Sequence, residues 1–270
     1  MTKRQTTSLP FRRMLRVAVA AAAGLLGLHA VAPAHADGPC RSAHFEDMGY
    51  VVCSFDPAEA QLRLFWRDES GRPYRTFSAL AGALDRQGTK LTFAMNAGMF
   101  LPDFTPLGLH VEEGRELRPV EAAAAPADVH PVPNFYKKPN GVFYIDGGSA
   151  GVLTTERFLS LRPKADYATQ SGPMLVVNGR LHPAFIEGSR DRTRRTGVGV
   201  SASGSVHFAI SDSPVNFYDF ARLFRDRLGC RNALFLDGGR GTGLYSPELG
   251  RNDWSWHGGF GPIVGAVEQR

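Results

Sequence analysis

The sequence predicts an α+β protein with a single domain: a mixed, largely antiparallel sheet flanked by helices, with a β-α-β crossover near the C-terminus. Three observations carry this. Short apolar or alternating runs bounded by Gly, Pro, Asn and Asp recur through the first two thirds of the chain. One helical periodicity stands out, and it lies between two strand-like runs close to the end. A chain of 270 residues, 43% apolar, is long enough for a sizeable core, and 30 Gly and 18 Pro supply its turns.

The first segment is set apart from that domain. Residues 1–36 hold Lys3, Arg4, Arg12, Arg13 and Arg16 and no acid, then an apolar run over 17–32 and the tripeptide Ala34-His35-Ala36. This is the pattern of a secretory signal peptide cut before Asp37, with an apolar run short for a membrane span; an uncleaved anchor is the alternative. The expected mature domain is 37–270, periplasmic or secreted, with no membrane association after cleavage. The five basic residues account for the whole formal net charge of +5, so charge gives no support to nucleic-acid binding. Cys40, Cys53 and Cys230 all follow this segment, where disulfides persist. Cys40 with Cys53 is the expected bridge, pinning the start of the domain, and Cys230 is expected to be a buried, inert thiol. No spacing suggests zinc, and no metal or cofactor is expected.

Strands are expected over 50–55, 61–66, 91–95, 108–112, 141–145, 174–177 and 197–201. Asp68-Glu69-Ser70-Gly71 and Val177-Asn178-Gly179-Arg180 read as hairpin turns. Pro119, Pro126, Pro131, Pro133 and Pro139 mark a long surface loop. A strand over 205–210 then leads to a helix opened by Ser213-Pro214, whose face is Phe217, Phe220, Ala221, Phe224 and Leu228 and whose stop is Gly229. With a further strand over 233–236 this makes a right-handed crossover between parallel strands, placing Asp212 and Asp237 at neighbouring carboxyl ends, the edge where open sheets place ligands. Trp254, Trp256 and Phe260 are expected to cover a core edge, with stacking on sugar as the alternative.

Three segments join a buried-looking strand to a polar tip, as many sites do: 93–100 with Asn96 and Gly98, 170–174 with Ser171 and Gly172, and Leu236-Asp237-Gly238-Gly239. Taken singly, Asn96 reads equally as a turn residue, Ser171 as a loop hydroxyl and Asp237 as a cap. A fourth segment, 192–199, brings Arg195 against a Gly-containing strand, and Arg suits bidentate recognition of phosphate or carboxylate. Lys138 and Asn140 end the long loop and add a cation and an amide. His182 and His207 lack an evident partner and are expected to be structural.

Met95-Asn96-Ala97-Gly98-Met99-Phe100, Lys138-Pro139-Asn140-Gly141-Val142-Phe143, Gln170-Ser171-Gly172-Pro173-Met174-Leu175, Arg195-Thr196-Gly197-Val198-Gly199 and Leu236-Asp237-Gly238-Gly239 occur in that order. In this the chain resembles the phosphodiester glycosidase family over about residues 40–267, and its bacterial periplasmic branch at 64–67 and 221–226 as well. The resemblance implies cleavage of the bond between a sugar C1 and a phosphodiester oxygen, releasing free sugar and a phosphate monoester. A phosphate leaving group is a weak base, so a cation can replace much of the help a general acid gives. Under this reading Asp237 is the carboxylate that activates water or stabilises the oxocarbenium-like centre. Arg195 is the phosphate clamp and Asp212 a second carboxylate. Asn96, Gly98, Lys138, Asn140, Ser171, Gly172, Gly238, Gly239 and Thr242 hold a glycan or sugar-phosphate substrate. The chain departs from the family at Arg240-Gly241-Thr242-Gly243, where small hydroxyl residues are usual; if such a hydroxyl contacts substrate in relatives, either Thr242 or Arg240 substitutes for it or specificity has changed. Two other readings compete: a metal-dependent phosphoesterase using Asp146, Asp212 and Asp237, and a non-catalytic binder of an envelope glycan or sugar phosphate.

Overall fold

The structure, a computed structural model, describes residues 38–270; the expected signal peptide lies outside the described residues. Strands dominate it. In chain order they are β1 (Cys40–Phe45), β2 (Met48–Phe55), β3 (Gln61–Phe65), β4 (Thr89–Asn96), β5 (His110–Glu112), β6 (Arg115–Arg118), β7 (Gly141–Asp146), β8 (Ser149–Thr154) and β9 (Tyr167–Ser171). Then follow β10 (Met174–Val177), β11 (Arg180–Leu181), β12 (Arg195–Ser201), β13 (Val206–Ser211), β14 (Cys230–Gly238), β15 (Leu244–Ser246), β16 (Arg251–Asn252) and β17 (Ile263–Gln269). The helices are α1 (Phe77–Arg86), α2 (Thr155–Leu161) and α3 (Phe217–Arg222), the last running into a π-helical turn at Leu223–Arg227.

Three sheets form, in the orders β1-β2-β13-β12-β14-β10-β11, β16-β15-β4-β17-β3 and β6-β5-β9-β7-β8. Every registered pair among the described residues is antiparallel, so the sheets are not mixed. The chain does run β13, α3, β14 within one sheet, but the expectation that the two strands are neighbours is corrected. Strands β13 and β14 both pair antiparallel with β12 and therefore run in one direction, but β12 lies between them. The cause is local: β12 turns directly into β13, closed by Ser201 N–H to Ser205 O at 3.0 Å, and so takes the adjacent place first. The helix also starts later than expected. Val215 bridges back to Thr193, and Asn216 caps α3 by accepting the Asp219 N–H at 2.8 Å.

Alternation along β12 separates two cores. Val198 faces the space between sheets, where Phe93, Met95, Phe143, Phe208, Leu234 and Val264 pack. Arg195, Gly197 and Gly199 face the other side, under α3 and the π-turn, with Phe217, Phe224 and Phe235. A Cβ at Gly199 would sit 2.7 Å from Cys230 Sγ and 2.8 Å from Phe224 Cδ1, so the missing side chain lets the turn lie on the strand. Cys230 is free and buried there, and burial pushes its thiol up to about 12. Cys40 and Cys53 face each other across the β1–β2 hairpin and are joined by a disulfide. Asn178 and Gly179 both take positive φ in the β10–β11 turn, the conformation an Asn-Gly hairpin needs.

Candidate active site

Strand β14 carries a bulge where it meets β12. Thr196 pairs with Asp237 and Gly197 with Phe235, which leaves Leu236 as the extra residue and brings Asp237 opposite Thr196. The Asp237 carboxyl accepts the Gly238 N–H at 2.7 Å through Oδ1. Its Oδ2 lies against Gly241, where a Cβ would come within 2.2 Å, so any larger residue would displace the carboxyl. Asp237 has no ion-pair partner among the described residues. It keeps partial solvent access, yet the surrounding protein is dense enough for desolvation to dominate: burial raises its pKa from 3.8 to about 7, against the pull of the Gly238 hydrogen bond. A carboxyl that exchanges protons near neutrality suits general acid–base work.

The segments that hold it converge from distant parts of the chain. Thr196 Oγ1 donates to Asp237 O at 3.1 Å and accepts the Asp237 N–H at 3.2 Å and the Asn96 Nδ2–H at 2.8 Å. Asn96 Oδ1 in turn accepts the Gly243 N–H at 3.1 Å. Asn96, buried at the end of β4, thus ties two sheets and the turn after Asp237 together. Ser171 Oγ donates to Leu236 O at 2.8 Å, and Thr169 Oγ1 donates to Ala97 O at 2.8 Å. Gly98, at φ 150°, has Ser171 Cβ 3.6 Å from where its own Cβ would be. Asn96, Gly98, Ser171 and Asp237 are therefore brought together, with Asn96 and Ser171 as positioning residues. Thr196 and Gly241 were not singled out by sequence reasoning, although both stand inside quoted motifs.

Other expected site residues have different surroundings. Arg195 is 1% exposed: Nε donates to Val215 O at 2.9 Å, Nη2 to Asp191 O at 3.2 Å, and the guanidinium lies 3.6 Å from the Phe217 ring centroid. These partners, on the α3 side of β12, occupy it structurally in place of a phosphate; desolvation lowers its pKa to about 10. Asp212 is exposed and faces Arg251 at 3.7 Å rather than Asp237. Asn140 is fully buried, donating to Phe135 O at 3.0 Å and accepting from Thr155 Oγ1 at 2.8 Å and Lys138 Nζ at 3.1 Å. It anchors the long loop, as does Gln170, which bonds the backbone of Glu121. Gly172 packs against Asn140, where a Cβ would lie 2.7 Å from the Asn140 Cβ. Thr242 Oγ1 closes its own turn onto Gly239 O at 3.0 Å. Gly238 and Gly239 keep partial access beside Asp237, under Thr193 and the Arg194 carbonyl.

His182 bonds Lys138 O at 2.9 Å and His207 bonds Ser54 Oγ at 2.8 Å, so both have structural partners. Asp146, Asp212 and Asp237 are not gathered: no group of three His, Cys, Asp or Glu placed to hold a metal occurs among the described residues. No helix among those residues is long and apolar enough to cross a membrane. Phe260 is buried as expected, but Trp254 and Trp256 are 62% and 76% exposed, which corrects their expected place in a core edge.

A partly accessible carboxyl without an ion-pair partner stands at the end of a bulged strand in a fold of antiparallel sheets, and the chain belongs to the phosphodiester glycosidase family, whose model matches residues 89–261. Among individual proteins, it is similar to the uncharacterized protein YigE of Escherichia coli (strain K12), at 31% identity over 183 residues, covering 68% of this chain and 69% of that one. Its fold is similar to the zebrafish N-acetylglucosamine-1-phosphodiester alpha-N-acetylglucosaminidase catalytic domain auto-inhibited by its pro-peptide. That likeness has TM-score 0.58 and 15% identity over 87% of this chain and 86% of that one. A hypothetical protein from Synechocystis shares the fold at TM-score 0.50 and 16% identity, over 84% of this chain and 61% of that one.

Proposed function

We propose that the protein is an exported hydrolase that cleaves the C1–oxygen bond of a glycosyl-1-phosphodiester. The family supplies the reaction class, and the observation that carries the reading in this chain is the Asp237 carboxyl, titrating near neutrality with no cation to hold it ionised. As carboxylate it takes a proton from water whose oxygen bonds to C1. The C1–O electron pair leaves with the phosphate oxygen, giving a phosphate monoester that needs little protonation. Arg194, whose carbonyl accepts the Gly239 N–H at 2.8 Å and whose side chain keeps solvent access, is the cation we assign to that phosphate in place of buried Arg195. The basic, apolar start of the chain and the Cys40–Cys53 disulfide support a periplasmic or secreted location.

The test is hydrolysis of a panel of glycosyl-1-phosphodiesters by the purified exported protein, with and without chelator, beside Asp237→Asn. Free sugar released in chelator, and lost in the variant, is the expected result. Loss on chelation would move the reading to a metal phosphoesterase. Binding of sugar phosphates without turnover would move it to a binder.

A further inference from the structure

Two exposed indoles stand on a loop bonded to the turn that follows Asp237. Trp254 and Trp256 belong to the loop between β16 and β17 and line an open cavity of about 620 Å³ with Arg194, Asp253 and Gly258. Exposed tryptophans on one short loop are unusual for a surface with no partner, since each leaves a large apolar face in water. The loop is fixed to the active-site turn at one carbonyl: Trp256 N–H and Ser255 Oγ donate to Arg240 O at 3.1 Å and 3.3 Å. Arg240 is the neighbour of Gly241, the residue against which the Asp237 carboxyl lies. On the other side, Arg194 O accepts Gly239 N–H at 2.8 Å, so two residues that line the cavity, Arg194 and Trp256, are bonded to the turn that follows Asp237.

We propose that this cavity is a subsite for a pyranose ring lying outside the scissile bond, with Trp254 and Trp256 as its stacking platform. A pyranose carries an apolar C–H face and a rim of hydroxyls. The cavity has the same division: two indole faces, and at its edge a guanidinium and a carboxylate, Arg194 and Asp253, 3.8 Å apart. Asp253 is itself held by Arg251, which gives it a fixed position as a hydroxyl acceptor. The subsite deepens the hydrolase reading and rests on it for its place in the substrate: Arg194 assigned to phosphate puts this ring next to the phosphate, so the preferred substrate is an oligosaccharide phosphodiester rather than one with a small alkyl group.

The test is binding to the Asp237→Asn protein, which separates the subsite from turnover. The chain has three tryptophans, and Trp66 is buried with its indole N–H on Phe104 O at 2.8 Å, so acrylamide quenching reports Trp254 and Trp256. The probes are the hexasaccharides of mannose, of N-acetylglucosamine, and of α- and β-linked glucose, with glycerol phosphate as an anion lacking a ring. Shielding and a blue shift with at least one hexasaccharide, weakened about tenfold in Trp254→Ala and in Trp256→Ala, is the expected result. Shielding by none of them would overturn the proposal. So would shielding by phosphatidylcholine–phosphatidylglycerol vesicles or by raised protein concentration in place of sugars. Hydrolysis by the wild-type protein tests the reaction separately, so either reading can fail alone.

Discussion

Replacing Asp237 by asparagine is expected to make the protein more stable, and increasingly so as pH rises. In the folded protein the carboxyl titrates at about 7, against an ordinary 3.8. Between these two values the folded state holds a proton that the unfolded chain has released. Stability contributed by the protonated carboxyl is therefore full below 3.8 and is lost as pH rises through about 7. Roughly three pH units at about 1.36 kcal/mol each make a cost of about 4 kcal/mol by pH 8. An asparagine keeps an oxygen for the Gly238 N–H and carries no charge to desolvate, so it escapes this cost. For a domain of this size about 4 kcal/mol is a rise in Tm of roughly 8–16 °C. The assay is thermal or urea unfolding of both proteins at pH 4.5 and pH 8. The gap should be about 1 kcal/mol at the lower pH and about 4 kcal/mol at the higher one. Parallel pH dependences would refute the reasoning, because they would mean that Asp237 titrates alike folded and unfolded.

Three further outcomes are expected. Hydrolysis needs the Asp237 carboxylate, so kcat/KM should climb through about pH 7 and level off above it; a profile that falls over this range would make Asp237 an acid. Asn96→Ala leaves the buried Gly243 N–H without its acceptor and frees Thr196. A loss of about 2–3 kcal/mol in urea unfolding is expected, together with a fall in kcat larger than any change in KM. Arg195→Met should cost about 2–4 kcal/mol of stability, by stripping the donor from Val215 O and Asp191 O. It should leave KM for a phosphodiester nearly unchanged, whereas a large rise in KM would restore Arg195 as the phosphate clamp.

The residue patterns showed the outline of the fold and the segments of the site, but not which side of a strand each residue faces. The runs at 50–55, 141–145 and 174–177 alternate or are continuously apolar, and β2, β7 and β10 are found there. Strands β15 and β16 have three and two residues, too few for a period to be read. Helix α1 has buried Phe77, Leu80 and Leu84 and a Thr76 cap, a helical pattern that is present in the sequence itself. Arg195 and Thr196 show the deeper limit. They are adjacent, and only the register of β12 sends one under α3 and the other toward Asp237. The indoles of Trp254 and Trp256 are as hydrophobic as any core residue, yet they are exposed on a loop whose backbone bond from Trp256 to Arg240 no local pattern announces.

The bare back of β12 bears on how this protein tolerates mutation. At Gly197 a methyl group would come to 3.1 Å from Leu175 Cδ1 and Phe224 Cε2, and at Gly199 to 2.7 Å from the Cys230 sulfur. Relief at either position would push the strand away from the helix, and Thr196 stands between Gly197 and Arg195 on that same strand. An alanine at a position that touches no substrate would thus be felt at Asp237 through Thr196. In a saturation scan these two glycines would rank with the carboxyl itself. A map of intolerance would then outline the shape of the strand's bed as much as the place where bonds are broken.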